Sequence, residues 1–252
     1  MRLRPSIYFA LCAWLCAFIA STPVLAGTMR LTVQETGGPL LLIDDNAAFD
    51  LNPLVGAINA NPIFLNAALL DYEFTTLGAT SNAGVASTAL LTQTGEVNRK
   101  SLAPGVSLTV IATNDDYALP LGPLNMWTAA TDIFTLSTNV DQHTFQSFYD
   151  PNNLKGNTGA GSIPSVLLIH GPGPGSAQSA STSGVGNAPI LFALTNRSVI
   201  KLGPGVGAPH DQFAGATTVT TIPEPAGTIL LMIGAAATLL IRSGKRRSET
   251  SR

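Results

Sequence analysis

Carboxylates are the side chains of this chain best placed to do chemistry, and they come in clusters. Asp44, Asp45 and Asp50 crowd one short stretch around Asn46, and Asp115 and Asp116 follow Asn114 in another. Calcium is held by several carboxylate and amide oxygens at once, so both stretches are candidate calcium turns. Neither fits an EF-hand loop, which needs a glycine in mid-loop and a closing glutamate at fixed positions. Asp and Asn also favour turns for a local reason: their side chains bond nearby backbone N–H groups. The expectation is therefore no bound metal and no cofactor, with calcium at Asp44, Asp45, Asp50, Asp115 and Asp116 as the alternative.

The same acids could serve a glycosidase only by facing each other across a sugar cleft. Such clefts are commonly paved with aromatic rings. Between residues 27 and 221 there is one tryptophan, Trp127, and it is expected as a partly buried core residue rather than stacked on a sugar. His143, His170 and His210 have no second histidine or cysteine at metal-ligand spacing, so packing or surface roles are expected of them. No Gly-x-Ser-x-Gly elbow is present in this region. Gly171-Pro172-Gly173-Pro174-Gly175 is no phosphate loop, because its prolines remove the amide donors such a loop uses. An enzyme is not expected.

The elements that must position these groups read as strands. Leu31 and Val33 alternate with Thr32 and Gln34, and Val106, Leu108 and Val110 alternate with Ser107 and Thr109. Tyr72 and Phe74, then Phe134 and Leu136, repeat the pattern of a half-buried strand. Turn signals fall at Gly37-Gly38-Pro39, Asp44-Asp45-Asn46, Thr94-Gly95, Pro104-Gly105, Asn114-Asp115-Asp116 and Asp150-Pro151-Asn152-Asn153. Many short strands separated by turns predict a β-sandwich. The one helical expectation is a turn or two within 61–70, with Asn61 as N-cap and Pro62 at the first helical position. Residues 153–189 are rich in Gly, Ser and Pro and read as linker-like loops.

Charge narrows the partners. Residues 27–221 carry six basic and thirteen acidic side chains, a net charge of −7. That excludes nucleic acid as an expected partner, since phosphate binding needs clustered Lys and Arg. The region has no cysteine; both cysteines, Cys12 and Cys16, lie in the N-terminal apolar segment. Neither a disulfide nor a thiol nucleophile is available to it.

The two ends are of a different kind. Arg2 and Arg4 precede an apolar stretch over 7–20, and Val24-Leu25-Ala26 offers a cleavage site before Gly27. Residues 1–26 are read as a signal peptide cut between Ala26 and Gly27. At the other end, Pro223-Glu224-Pro225 precedes an uncharged apolar run over 226–241, followed by Arg242, Lys245, Arg246 and Arg247. Sixteen helical residues cover about 24 Å, somewhat short of a ~30 Å hydrocarbon core. Residues 226–241 are read as a transmembrane helix, with the basic cluster on the cytoplasmic side.

Pro-Glu-Pro, a short apolar helix and a basic end together resemble the PEP-CTERM sorting signal of Gram-negative bacteria. The resemblance covers residues 222–247, and Ser243 and Gly244 interrupt its basic cluster. It implies an exosortase-type processing enzyme as partner, with Pro223, Glu224, Pro225, Arg242, Lys245, Arg246 and Arg247 as recognition residues. It also implies transient residence in the inner membrane, then the cell surface or an exopolysaccharide-rich matrix as destination. The resulting expectation is an all-β chain with a single β-sandwich-like exported domain over 27–221. Long Gly/Ser/Pro-rich loops interrupt that domain, and a signal peptide and a transmembrane helix flank it. Its expected role is a structural component of the envelope or matrix. A carbohydrate-binding module or hydrolase, and a permanently anchored surface protein, are the alternatives.

Overall fold

The computed structural model describes residues 28–83, 87–100, 106–135, 140–172, 175–187, 191–203 and 210–222. The first sheet contains β1 (Arg30–Glu35), β2 (Leu41–Asp44), β6 (Leu108–Tyr117), β8 (Gln142–Asp150), β9 (Ile163–Pro164), β10 (Leu168–His170) and β12 (Phe192–Lys201). The second contains β3 (Ala57–Asn59), β4 (Tyr72–Ser81), β5 (Ala89–Arg99), β7 (Pro123–Thr135), β11 (Ser176–Asn187) and β13 (His210–Thr221). Strand order is β10-β8-β12-β6-β1-β2 in the first sheet, with β9 also on β8, and β11-β7-β13-β5-β4-β3 in the second. Every ladder is antiparallel. The β-sandwich expected from the alternating pattern is therefore present.

Alternation explains the layering. Leu31 and Val33 of β1, Leu108 and Val110 of β6, and Tyr72 and Phe74 of β4 are all buried and belong to one apolar cluster. Burying such a set on one face of each sheet removes it from water at roughly 25 cal/mol per Å². Two glycines make room for rings, Gly215 for one from the opposite sheet and Gly95 for one on the neighbouring strand. A Cβ on Gly215 would sit 2.2 Å from the ring of Phe145, and one on Gly95 would sit 2.7 Å from Phe213. Each glycine is the socket for an aromatic ring.

The single helix among the described residues, α1 (Pro62–Ala68), starts as expected. Asn61 caps it by accepting from the Ile63 N–H at 3.0 Å, and Pro62 opens the first turn.

Three local expectations are corrected. Thr94-Gly95 is no turn but the middle of β5, because Gly95 is needed beneath Phe213. Asn114-Asp115-Asp116 lies inside β6, where the ladder to β12 shifts register between Phe192 and Leu194. Asp116 takes φ 59° there, a left-handed conformation that Asp tolerates better than most residues. Ser176–Asn187, linker-like by composition, forms the twelve-residue edge strand β11. Its pairing with β7 uses backbone groups, which need no apolar side chain.

Among the described residues no helix is long and apolar enough to cross a membrane. Ala26, Gly27, the run over 226–241 and the sorting residues Pro223 to Arg247 lie outside the described residues.

Candidate functional site

The outer face of the second sheet carries an open, shallow feature. Strand β7 turns Trp127, Ala129, Thr131 and Ile133 outward, opposite in parity to its buried Met126, Thr128, Ala130, Asp132 and Phe134. Trp127 is 48 % exposed and Ile133 is 52 % exposed. Between them the floor is made of small residues. Ala216 and Ala214 of β13 lie opposite Ala129 and Thr131, and Thr92 and Thr94 of β5 continue the row. The result is a shallow depression of about 320 Å³. A second of about 410 Å³ shares Thr131 and Ala214 with it and runs past Ile133, Gly175 and Gln212. The outward row of β7 from Trp127 to Ile133 spans about 20 Å at the usual strand rise, with Trp127 flanking the depressions at one end. The outward side chains of the trough's lining are uncharged, and Glu96 lies next along the same face of β5, opposite Gln212. A flat ring, a small apolar floor and scattered threonine hydroxyls suit a ligand with both apolar and hydroxyl faces. The structure thus corrects the expectation of a core position for Trp127.

The acidic turns are held by their own surroundings. Asp44 pairs with Arg30 at 2.6 Å and 3.1 Å. Asp45 accepts from the Gly56 N–H at 2.7 Å. Asp50 accepts from the N–H groups of Asn52, Asn59 and Asn46 at 2.8, 2.9 and 3.0 Å. Asp115 accepts from Thr28 N at 3.0 Å and faces Lys155 at 3.4 Å, while Asp116 accepts from Asn153 at 2.7 Å. These carboxylates close loops. Among the described residues no group of three or more His, Asp or Glu side chains is arranged to hold a metal ion.

A sealed polar cluster lies between the sheets, at the end where β7 finishes and β8 and β13 begin. Asp132 of β7, His143 of β8, His170 of β10 and Asp211 of β13 are all buried. His143 and His170 stack at 5.6 Å, although 27 positions apart in the chain. Asp132 Oδ2 lies 3.2 Å from His170 Nδ1 and 3.5 Å from His143 Nδ1. Ser176 Oγ donates to Asp132 Oδ1 at 2.8 Å and is also bonded to His170 Nδ1. On its other side, His143 Nε2 meets Ser198 Oγ of β12 at 2.9 Å, and Gln93 Nε2 of β5 donates to that same Oγ.

The electrostatics follow from burial. Burial pushes the His170 imidazole below its ordinary range, against the pull of Asp132 and with the help of His143. Burial raises Asp211 to about 8, reinforced by repulsion from Asp132 and Asp141. Both oxygens of Asp211 lack a hydrogen-bond partner. The Ser198–His143–Asp132 order is that of a nucleophile, its base and an orienting acid. All three are sealed from solvent, so no external substrate reaches them.

The sequence reading missed this cluster, but a signal was present. His143 shares strand parity with Phe145, Asp132 with Phe134 and Asp211 with Phe213. A polar residue two places from a buried aromatic faces the same core.

No family model and no curated protein matches the chain. Solved structures give faint likenesses. One is a carbohydrate-binding module in complex with β-1,4-galactotriose, at 7 % identity and TM-score 0.30, covering 60 % of this chain and 91 % of that one. Another is a xylan-binding domain from Paenibacillus barcinonensis, at 6 % identity and TM-score 0.31, covering 63 % and 96 %. A third is a Stig cyclase from Fischerella sp. TAU, at 12 % identity and TM-score 0.31, covering 66 % and 86 %. Binding and catalysis in these cases are properties of the matched proteins, and at such TM-scores the likenesses carry no argument about this chain.

Proposed function

We propose that this chain is an exported matrix protein whose β-sandwich binds a neutral polysaccharide along the outer trough of the second sheet. The observation that carries the reading is Trp127, half exposed beside a floor of Ala129, Thr131, Ala214 and Ala216. The indole offers an apolar face to the C–H side of a sugar ring, and the threonines offer hydroxyls to its edge. A neutral glycan fits better than an acidic one, because residues 27–221 carry a net charge of −7. A glycan array followed by titration calorimetry tests the reading. Trp127→Ala is expected to weaken binding by about 2 kcal/mol, roughly thirty-fold, with the melting temperature unchanged. An array on which wild type and variant are alike would remove it.

Export and release belong to the same proposal. The basic n-region, the apolar run and the Pro-Glu-Pro tripeptide support it. In this reading the apolar run holds the chain in the inner membrane until a processing enzyme cuts near Pro223-Glu224-Pro225. Replacing those three residues by alanine is expected to leave uncut chain in the membrane fraction. Release at the wild-type level would count against the sorting half of the proposal and leave the glycan half standing.

A further inference from the structure

We propose that Ser198 and Gln93 join in an intramolecular ester that staples the two sheets together. The two side chains come from interior strands of opposite sheets, β12 and β5, and are 105 residues apart in the chain. Both are fully buried, and Gln93 Nε2 donates to Ser198 Oγ. That contact sets the Gln93 carboxamide against the hydroxyl oxygen, with its carbon one C–N bond beyond the contacting nitrogen. The base is already in place: His143 Nε2 lies 2.9 Å from the same Oγ. Asp132 faces the other ring nitrogen at 3.5 Å and acts as a positioning residue, favouring the tautomer whose Nε2 is free to accept. Such distances are often long before reaction and tighten along it.

The step balances without an added reagent. Ser198 Oγ gives its proton to His143 Nε2 as the Oγ–Cδ bond forms. The tetrahedral intermediate then collapses, the Cδ–Nε2 bond breaks, and His143 returns the proton to the departing nitrogen. Ammonia leaves, the imidazole is again neutral, and no oxidant is consumed. Two features favour the product. Gln93 Oε1 is buried without a hydrogen-bond partner, and an ester oxygen, being the weaker acceptor, tolerates that better than an amide oxygen. The site also excludes the bulk water that would hydrolyse the ester. Residues 27–221 have no cysteine. This bond would close a long loop between the sheets, as a disulfide does in other exported domains.

The test is tryptic mapping of the folded, full-length chain under denaturing, mildly acidic conditions. Cleavage after Arg30, Arg99, Arg197 and Lys201 places Gln93 in one peptide, Leu31–Arg99, and Ser198 in another, Ser198–Lys201. The expected species is the two joined, lighter than their sum by one ammonia and separated by hydroxylamine. Ser198→Thr keeps a hydroxyl and retains the link; Ser198→Ala loses it. His143→Gln loses it in a chain that still folds. Asp132→Asn slows its formation and shifts the His143 nitrogen resonances toward the other tautomer. Recovery of free Ser198–Lys201 and an intact Gln93 amide from folded wild-type protein overturns the proposal. So does a link that persists in Ser198→Ala.

Discussion

Glu35→Ala is expected to lower the unfolding free energy by about 3 kcal/mol, seen as a fall in Tm of about 10 °C. Glu35 ends β1 in the first sheet and is almost fully buried. Its carboxylate accepts from the N–H groups of Leu70, Asp71 and Tyr72 at 2.8, 2.9 and 2.8 Å. Those donors lie at the start of β4 in the second sheet, so one side chain ties the two layers together. Hydrogen bonds to an ionised acceptor are the stronger kind, and removing the acceptor leaves its donors unpaired. Glu35→Gln keeps one acceptor oxygen and is expected to cost about half as much. Chemical unfolding of the three chains at one pH decides the matter. Equal midpoints would show that the carboxylate is not what holds this corner.

A second large effect concerns pH. Asp211, raised to about 8 in the folded protein chiefly by burial, has its ordinary value of 3.8 when the chain is unfolded. Because the folded value is the higher one, folding takes up a proton between those limits. The associated stability is fully present below 3.8 and is lost as pH rises toward 8. His170 works in the other direction. Its folded value is lowered from 6.5, so its contribution is present above 6.5 and lost as pH falls below that. Between pH 6.5 and 8 the Asp211 contribution is expected to dominate, and wild-type stability to fall across that interval by about 2 kcal/mol. Asp211→Asn is close in shape to the protonated acid and carries no titration. Urea unfolding at the two ends of the interval should show the slope in wild type and its loss in the variant. An asparagine variant with the same slope would locate the titration elsewhere.

The same geometry shows how far the sequence could be read. Period-two alternation identified β1, β4 and β6 and touched only the end of β7 at Phe134, because each strand has one dry face and apolar residues must fill it. The same rule, carried two residues further, places Glu35 beyond Val33, Asp132 before Phe134 and Asp211 before Phe213. It also turns Trp127 outward, since Trp127 and Phe134 differ in parity. Composition misled at β11, where Ser, Ala and Gly pair through the backbone alone, and at Gly95, where the glycine accommodates a ring rather than a turn.

The chain's sequence by itself determined an all-β body with two layers, a cysteine-free interior, an acidic charge and the chemistry of its two ends. Those are properties of local pattern and composition, which act within a strand or a short segment. Only the tertiary structure decided that His143 meets His170, that Gln93 meets Ser198 and that Ala129, Ala214 and Thr92 share a trough. Each of those meetings depends on strand order and on which sheet faces which. Strand order is fixed by the packing of whole faces around rings such as Phe145 and Phe213, so no local signal announces it.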